Sequence, residues 1–134
     1  MRWTSTMQRR SLAILVSLLL LVLCAPGGCQ DAPPTVEIIE PGDFENFPEG
    51  AVVHVIADCT DDKALSEVFF AVIAEYPGNV TQTLVDDMVR VVPKEPFYRL
   101  SFNFRTPTGY QQIEIRVTAV DDMGQSGEDI VTIR

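Results

Sequence analysis

The chain has 134 residues, 46% of them hydrophobic and 22% charged, with ten Lys and Arg, 19 Asp and Glu, and one His, for a formal net charge of −9. Residues 1–28 hold three of the ten bases and none of the acids, so residues 29–134 carry seven bases against 19 acids, a net charge of −12. A surface of that sign repels phosphate backbones and argues against nucleic acid as a partner. The 106 residues after position 28 are one domain's worth of chain, enough for a modest core.

The N-terminus sets Arg2, Arg9 and Arg10 ahead of residues 12–23, a run of 12 uncharged residues, followed by Ala25-Pro26-Gly27-Gly28-Cys29. As a helix the run spans about 18 Å. A bilayer core needs about 20 residues for its roughly 30 Å. The run is therefore too short to span comfortably. A basic region, an apolar region and a small-residue cleavage zone make up a secretory signal that is removed, with a retained membrane anchor as the alternative.

The cysteine that follows Gly28 makes this segment resemble a bacterial lipoprotein signal. The resemblance implies cleavage before Cys29, diacylglycerol on its sulfur and an acyl chain on its new amino group. Two or more chains anchor a protein stably, whereas one does so only marginally. Pro26 departs from the branched aliphatic residue that the family prefers three places before the cysteine. Residues 21–24 supply an aliphatic ahead of Cys24, but they place the bulky Leu23 at the cleavage bond. Cys29 is the favoured lipidation site, and Cys24 is the rival. An ordinary signal cut near Gly28 would free the protein instead. By analogy with the family, Gln30 in place of an acid after Cys29 points to the outer membrane of a bacterial cell envelope. Cys24 then leaves with the signal and Cys29 carries lipid, so Cys59 has no disulfide partner.

Residues 29–35 form a short tether in which Pro33 and Pro34 favour an extended path. Strand patterns then alternate with turn signals. Residues 36–39 make the first run, broken by Pro41-Gly42-Asp43. Residues 51–59 place Val53, Val55, Ala57 and Cys59 on one face, and Asp61-Asp62-Lys63 turns the chain. Residues 65–74 follow, with Val68, Phe70 and Val72 facing one way, then the turn at residues 76–79. Residues 80–92 are less regular, and Asp86-Asp87 is expected to divide them into a hairpin or mark a bulge. Pro93 and Pro96 bracket the next turn, ahead of Tyr98, Leu100, Phe102 and Phe104 on one face. After the turn at residues 106–109, Ile113, Ile115, Val117 and Ala119 line another strand. Residues 121–124 turn again, and residues 129–134 close the chain. Seven or eight short strands of this kind predict an all-β antiparallel sandwich.

Several of these residues resemble bacterial Ig-like domains. Pro33-Pro34-Thr35-Val36-Glu37-Ile38, Glu40-Pro41, Phe47 and Gly50 are similar to the family's opening. Ala57 through Asp62, then Leu65, Val68 and Phe70, resemble its second and third strands. Val117, Ala119, Asp121 and Gly124 match its sixth strand and turn. The resemblance covers residues 33–134 and implies an Ig-like β-sandwich over 36–134. The stretch 78–96 is longer than the family's usual connection. The antibody-type core tryptophan and disulfide are absent, and Phe70 is expected to fill that volume.

Catalysis has little support in the sequence. His54 and Cys59, five apart on one predicted strand, point to opposite faces about 17 Å apart, beyond the reach of a nucleophile and its base. There is no nucleophile elbow, glycine-rich phosphate loop or Cys/His metal spacing. The acidic pairs are more suggestive. In the implied sandwich the tether and two loops share one end, which gathers Asp61, Asp62, Asp121 and Asp122, joined by Asp31. Calcium takes six to eight oxygens, and such a cluster supplies several. Alternatively, each Asp simply caps its own turn by accepting backbone hydrogen bonds. Phe44, Phe69 and Tyr76 fall outside the inward alternation and are candidates for a contact surface. The expected protein is non-enzymatic and lipid-anchored, presenting one domain to an envelope protein or glycan. The alternative is a passive structural subunit or spacer of an envelope assembly, with calcium as its candidate stabiliser.

Overall fold

The computed structural model describes residues 30–134; the signal-like segment, Cys24 and Cys29 lie outside the described residues. Five strands make the domain: β1 (Thr35–Glu40), β2 (Val52–Tyr76), β3 (Val80–Arg105), β4 (Gln112–Asp121) and β5 (Ser126–Ile133). Every pairing is antiparallel. No helix among the described residues is long and apolar enough to cross a membrane.

β2 organises the sheet. Residues 52–60 lie between β1 and the last part of β3, with Ala57 opposite both Ile38 and Leu100. Residues 65–76 lie between β4 and the first part of β3, with Val72 opposite both Ile115 and Val85. β5 flanks β4. The register slips between Thr60 and Leu65 and again before Glu67, and there the sheet curls. Its two halves share one core. Phe70 of the second half meets Phe102 of the first, with ring centroids 4.7 Å apart and planes tilted by 31°. Phe70 is buried in that core.

The strand count is five, not seven or eight. β2 runs through Asp61-Asp62-Lys63 and β3 runs through Pro93–Pro96 without ending. The reason lies in the pairing: β2 and β3 are partners on both sides of the break, with Thr60 opposite Phe97 and Leu65 opposite Glu95. Their ladder carries across the bend, so turn-type residues bend the strands without terminating them. Asp86 and Asp87 do not divide β3 either; they pair with Ala71 and Phe70. The irregularity falls at Leu84, which is left over between Val85 opposite Val72 and Thr83 opposite Ile73.

The alternation in each strand sets the core. Val53, Val55, Ala57 and Cys59 are fully buried, as are Val68 and Val72 and the row Ile113, Ile115, Val117 and Ala119. Leu65, Leu100, Phe104, Val131 and Ile133 are among the residues that join them. Branched side chains suit a pleated, half-buried surface, which accounts for the valine and isoleucine rows.

The seam between β1 and β5 is closed by side chains and by the loop after β1. Asp129 Oδ2 accepts from the Ile38 N–H at 2.8 Å, and Asp43 Oδ1 accepts from the Thr132 N–H at 2.9 Å. The loop adds Phe44 N–H to Thr132 O at 2.6 Å and Phe47 N–H to Arg134 O at 2.7 Å.

Residues 31–34, expected as an extended tether, lie against the domain. Pro34 is buried. A Cβ on Gly127 would sit 1.8 Å from the Pro34 carbonyl oxygen, so only glycine permits that approach. Gln125 Nε2 donates to Asp31 O at 3.3 Å, and Lys63 Nζ lies 3.0 Å from Asp31 Oδ1.

Phe70→Ala should cost about 3–5 kcal/mol, the usual range for emptying an aromatic site in a core. Phe69→Ala, one position along and 41% exposed, should cost well under half of that. Urea denaturation of the two variants checks this. Equal costs would mean that Phe70 does not hold the halves together.

Candidate functional site

The acidic end is built by two strand ends and the N-terminal segment. Leu65 pairs with Asp121, which puts the bend of β2 beside the turn between β4 and β5. Asp31 reaches both through Lys63 and Gln125. The structure therefore gathers Asp31, Asp61, Asp62, Asp121 and Asp122 at one end, as the sequence implied.

Their roles differ. Asp61 Oδ2 accepts from the N–H groups of Lys63 and Ala64 at 2.9 and 2.7 Å. Asp121 is 2% exposed. Its Oδ1 accepts from the N–H groups of Met123 and Gln125, both at 2.8 Å, and its Oδ2 accepts from Gln125 Nε2 at 3.1 Å. These two carboxylates hold their own turns, the local role aspartate often takes. Asp62 and Asp122 are exposed and act through their charge. The Lys63 ammonium stands among them. Its pKa is raised, first by the hydrogen bond to Asp31, against some desolvation, and then by the charges of Asp31, Asp62 and Asp122. Asp61 Oδ1 and Asp31 Oδ2 are buried without a hydrogen-bond partner. Among the described residues, no three or more His, Cys, Asp or Glu side chains form a ready metal-binding group.

His54 and Cys59 lie on opposite sides of β2, His54 exposed and Cys59 buried. Burial pushes the Cys59 thiol up to about 11, and the charge of Asp58 adds to the rise. His54 has neighbours that the sequence did not reveal. Its Nδ1 lies 2.5 Å from Asn103 Oδ1, and its Nε2 lies 3.5 Å from Ser101 Oγ. All three stand on the outer face of the sheet, brought together by the pairing of His54 with Asn103 and Ile56 with Ser101. Only the β2–β3 register could have revealed this group. Beside it, Arg99 grips Asp58 with two bonds of 2.7 Å and holds that carboxyl below its usual range.

The candidate aromatics do not form one surface. Phe44 is exposed and lies under the Arg134 guanidinium, 5.1 Å from its ring centroid. Phe69 projects from β2 beside Met88 and Thr118. Tyr76 is half-buried, and its hydroxyl donates to Gln82 Oε1 at 2.9 Å.

The free edge of the domain is β3. It pairs with β2 along one side and with no other strand among the described residues. Its 26 residues run Val80–Arg105.

No family model matches the chain, and no curated protein does. Among solved structures the domain is similar to a superoxide reductase (neelaredoxin) from Ignicoccus hospitalis, at 11% identity over 82% of this chain and 85% of that one, with a TM-score of 0.55. It also matches fibronectin(III)-like modules of Clostridium thermocellum CbhA at 22% identity, over 75% of this chain and 45% of that one, with a TM-score of 0.48. The chain thus spans less than half the length of that protein. A conjugative transposon lipoprotein from Bacteroides eggerthii matches at 17% identity, over 76% of this chain and 97% of that one, with a TM-score of 0.48. At these identities the likeness concerns the fold alone.

The buried thiol gives a pH test. The unfolded state releases the Cys59 proton near the ordinary thiol value of 9.0, and the folded state near 11. The contribution to stability is thus complete below the first value and is lost as pH rises toward the second. The slope is at most about 1.4 kcal/mol per pH unit. Cys59→Ala should remove that slope in urea titrations at pH 8–11. In the native protein a thiol reagent should leave Cys59 unmodified and react only after unfolding.

Proposed function

We propose that this is a non-enzymatic, lipid-anchored protein of a bacterial cell envelope, whose one Ig-like domain presents a surface to a protein or glycan. The observation that carries the binding role is the β3 edge. A row of backbone N–H and C=O groups without a strand beside it is a template for pairing with another chain. Asp86, Asp87, Arg90, Pro93, Lys94 and Pro96 along β3 guard it against indiscriminate pairing. The Cys29 signal supports the anchor and the envelope location.

Two measurements test the proposal. The mass of the N-terminal peptide of the mature protein should equal a lipidated Cys29; an unmodified residue would sink the anchor. Photo-crosslinkers at Thr83 and Asp87, on the edge strand, should capture one dominant envelope protein or a glycan fragment. The same probe at Ile130 on β5 should not. Equal capture from both positions would reject the edge as the binding surface, and capture at fixed stoichiometry would favour a structural subunit.

We also propose that calcium stabilises the acidic end. The support is the buried, unpartnered Oδ1 of Asp61 and Oδ2 of Asp31. Millimolar calcium should raise Tm by several degrees, and Asp61→Asn with Asp31→Asn should abolish the rise. An unchanged Tm in the parent protein would end this proposal.

A further inference from the structure

We infer that the domain stands end-on against the bilayer, with the turns at 61–64 and 121–125 and the β3 bend at 92–97 facing the lipid, and does not ride on a stalk. This rests on the lipidation of Cys29 proposed above.

The first ground is reach. The sequence suggested a tether of residues 29–35, but residues 31–34 are packed on the domain through Pro34, Gly127, Lys63 and Gln125. Only Gln30 is left between the docked Asp31 and the anchored cysteine. Two residues of extended chain span at most about 7 Å. The end of the domain that holds Asp31 is thus confined close to the head groups. The turn at 77–79 is remote: the rise from Leu65 to Tyr76 in β2 is roughly 35 Å.

The second ground is independent of the anchor. Among the described residues, the two most exposed large hydrophobic ones are Val92 at 83% and Met123 at 70%. Met123 lies in the turn at 121–125, and Val92 lies at the β3 bend, two residues past the pair that Arg90 makes with Glu67. Phe97, 46% exposed and opposite Thr60, belongs to the same end. The only two lysines of the chain, Lys63 and Lys94, are there too. Apolar tips beside the exposed Lys94 suit a lipid surface, where the tips enter the head-group layer and a long cationic side chain reaches phosphates, while Lys63 stays paired with Asp31. The carboxylates of the same end oppose attraction to anionic lipid. The covalent anchor is therefore what brings this end to the surface.

The test places a fluorophore on the lipidated protein at Asp62→Cys, Met123→Cys or Val80→Cys, in phosphatidylcholine vesicles whose head groups carry a nitroxide quencher. Cys59 is buried with a raised pKa and does not compete for the label. Quenching at 62 and 123 should be several-fold greater than at 80. Equal quenching at all three positions, or the strongest at 80, would overturn the inference. A ten-residue Gly-Ser insert between Gln30 and Asp31 adds about 17 Å of flexible reach and touches no packed residue. It should bring 62 and 123 toward the level of 80, and an unchanged pattern would also overturn the inference. The N-terminal mass and vesicle flotation are read first. An unmodified Cys29 in protein that does not float removes the lipoprotein proposal and this inference with it. A lipidated protein with uniform quenching removes the inference alone.

Discussion

The curl of β2 is the constraint on which the rest of the fold depends. One strand of 25 residues serves both halves of the sheet, so its direction must change while its hydrogen bonding continues. Asp61 makes this possible. Its carboxylate takes the N–H groups of Lys63 and Ala64 at the point where the register slips, so donors that leave the ladder are not left unpaired. β3 follows the same bend because it is paired with β2 on both sides of it. Once both strands have turned, Phe70 and Phe102 meet, and the valine and isoleucine rows of the two halves face each other across one core.

Closing the sheet is a separate problem, and polar groups solve it. β1 and β5 are not ladder partners, yet Asp129 and Asp43 each take an N–H from the opposite side of the seam. The loop after β1 adds backbone bonds to the end of β5. Pro34 then covers the start of β5 where Gly127 leaves room. Each contact satisfies a donor or covers an edge that would otherwise invite another chain. Among the described residues, what is left open is the outer side of β3, so the seam and the free edge are two results of one topology.

Much of the core was legible in the sequence because burial imposes a period of two, and that period can be read without knowing any partner. Val53 to Cys59 and Ile113 to Ala119 were placed correctly on this basis. The number of strands was not legible. Asp-Asp-Lys and paired prolines look the same where a strand ends as where it bends, and only the partner on the far side decides. The acidic end was half legible: topology implied that the aspartates meet, and the turn-capping roles of Asp61 and Asp121 follow from local spacing. The place of Lys63 among them was hidden, because it depends on residues 31–34 folding back onto the domain. The His54, Ser101 and Asn103 group was hidden for the same kind of reason, since a register shift of one residue would have turned its members to opposite faces.

The charge of residues 29–134 bears on both the edge and the acidic end. At −12 it gives the domain no general attraction to an anionic surface. Exposed acid pairs such as Asp86-Asp87 keep the β3 edge solvated. At the bend, Asp61 and Asp121 are spent on turn geometry, and Lys63 offsets part of the remaining charge. That lysine also helps hold the docked segment: its ammonium lies 3.0 Å from Asp31 Oδ1, and the charges of Asp62 and Asp122 act on it as well. The same ion pair that offsets charge at the acidic end therefore also helps to keep residues 31–34 on the domain.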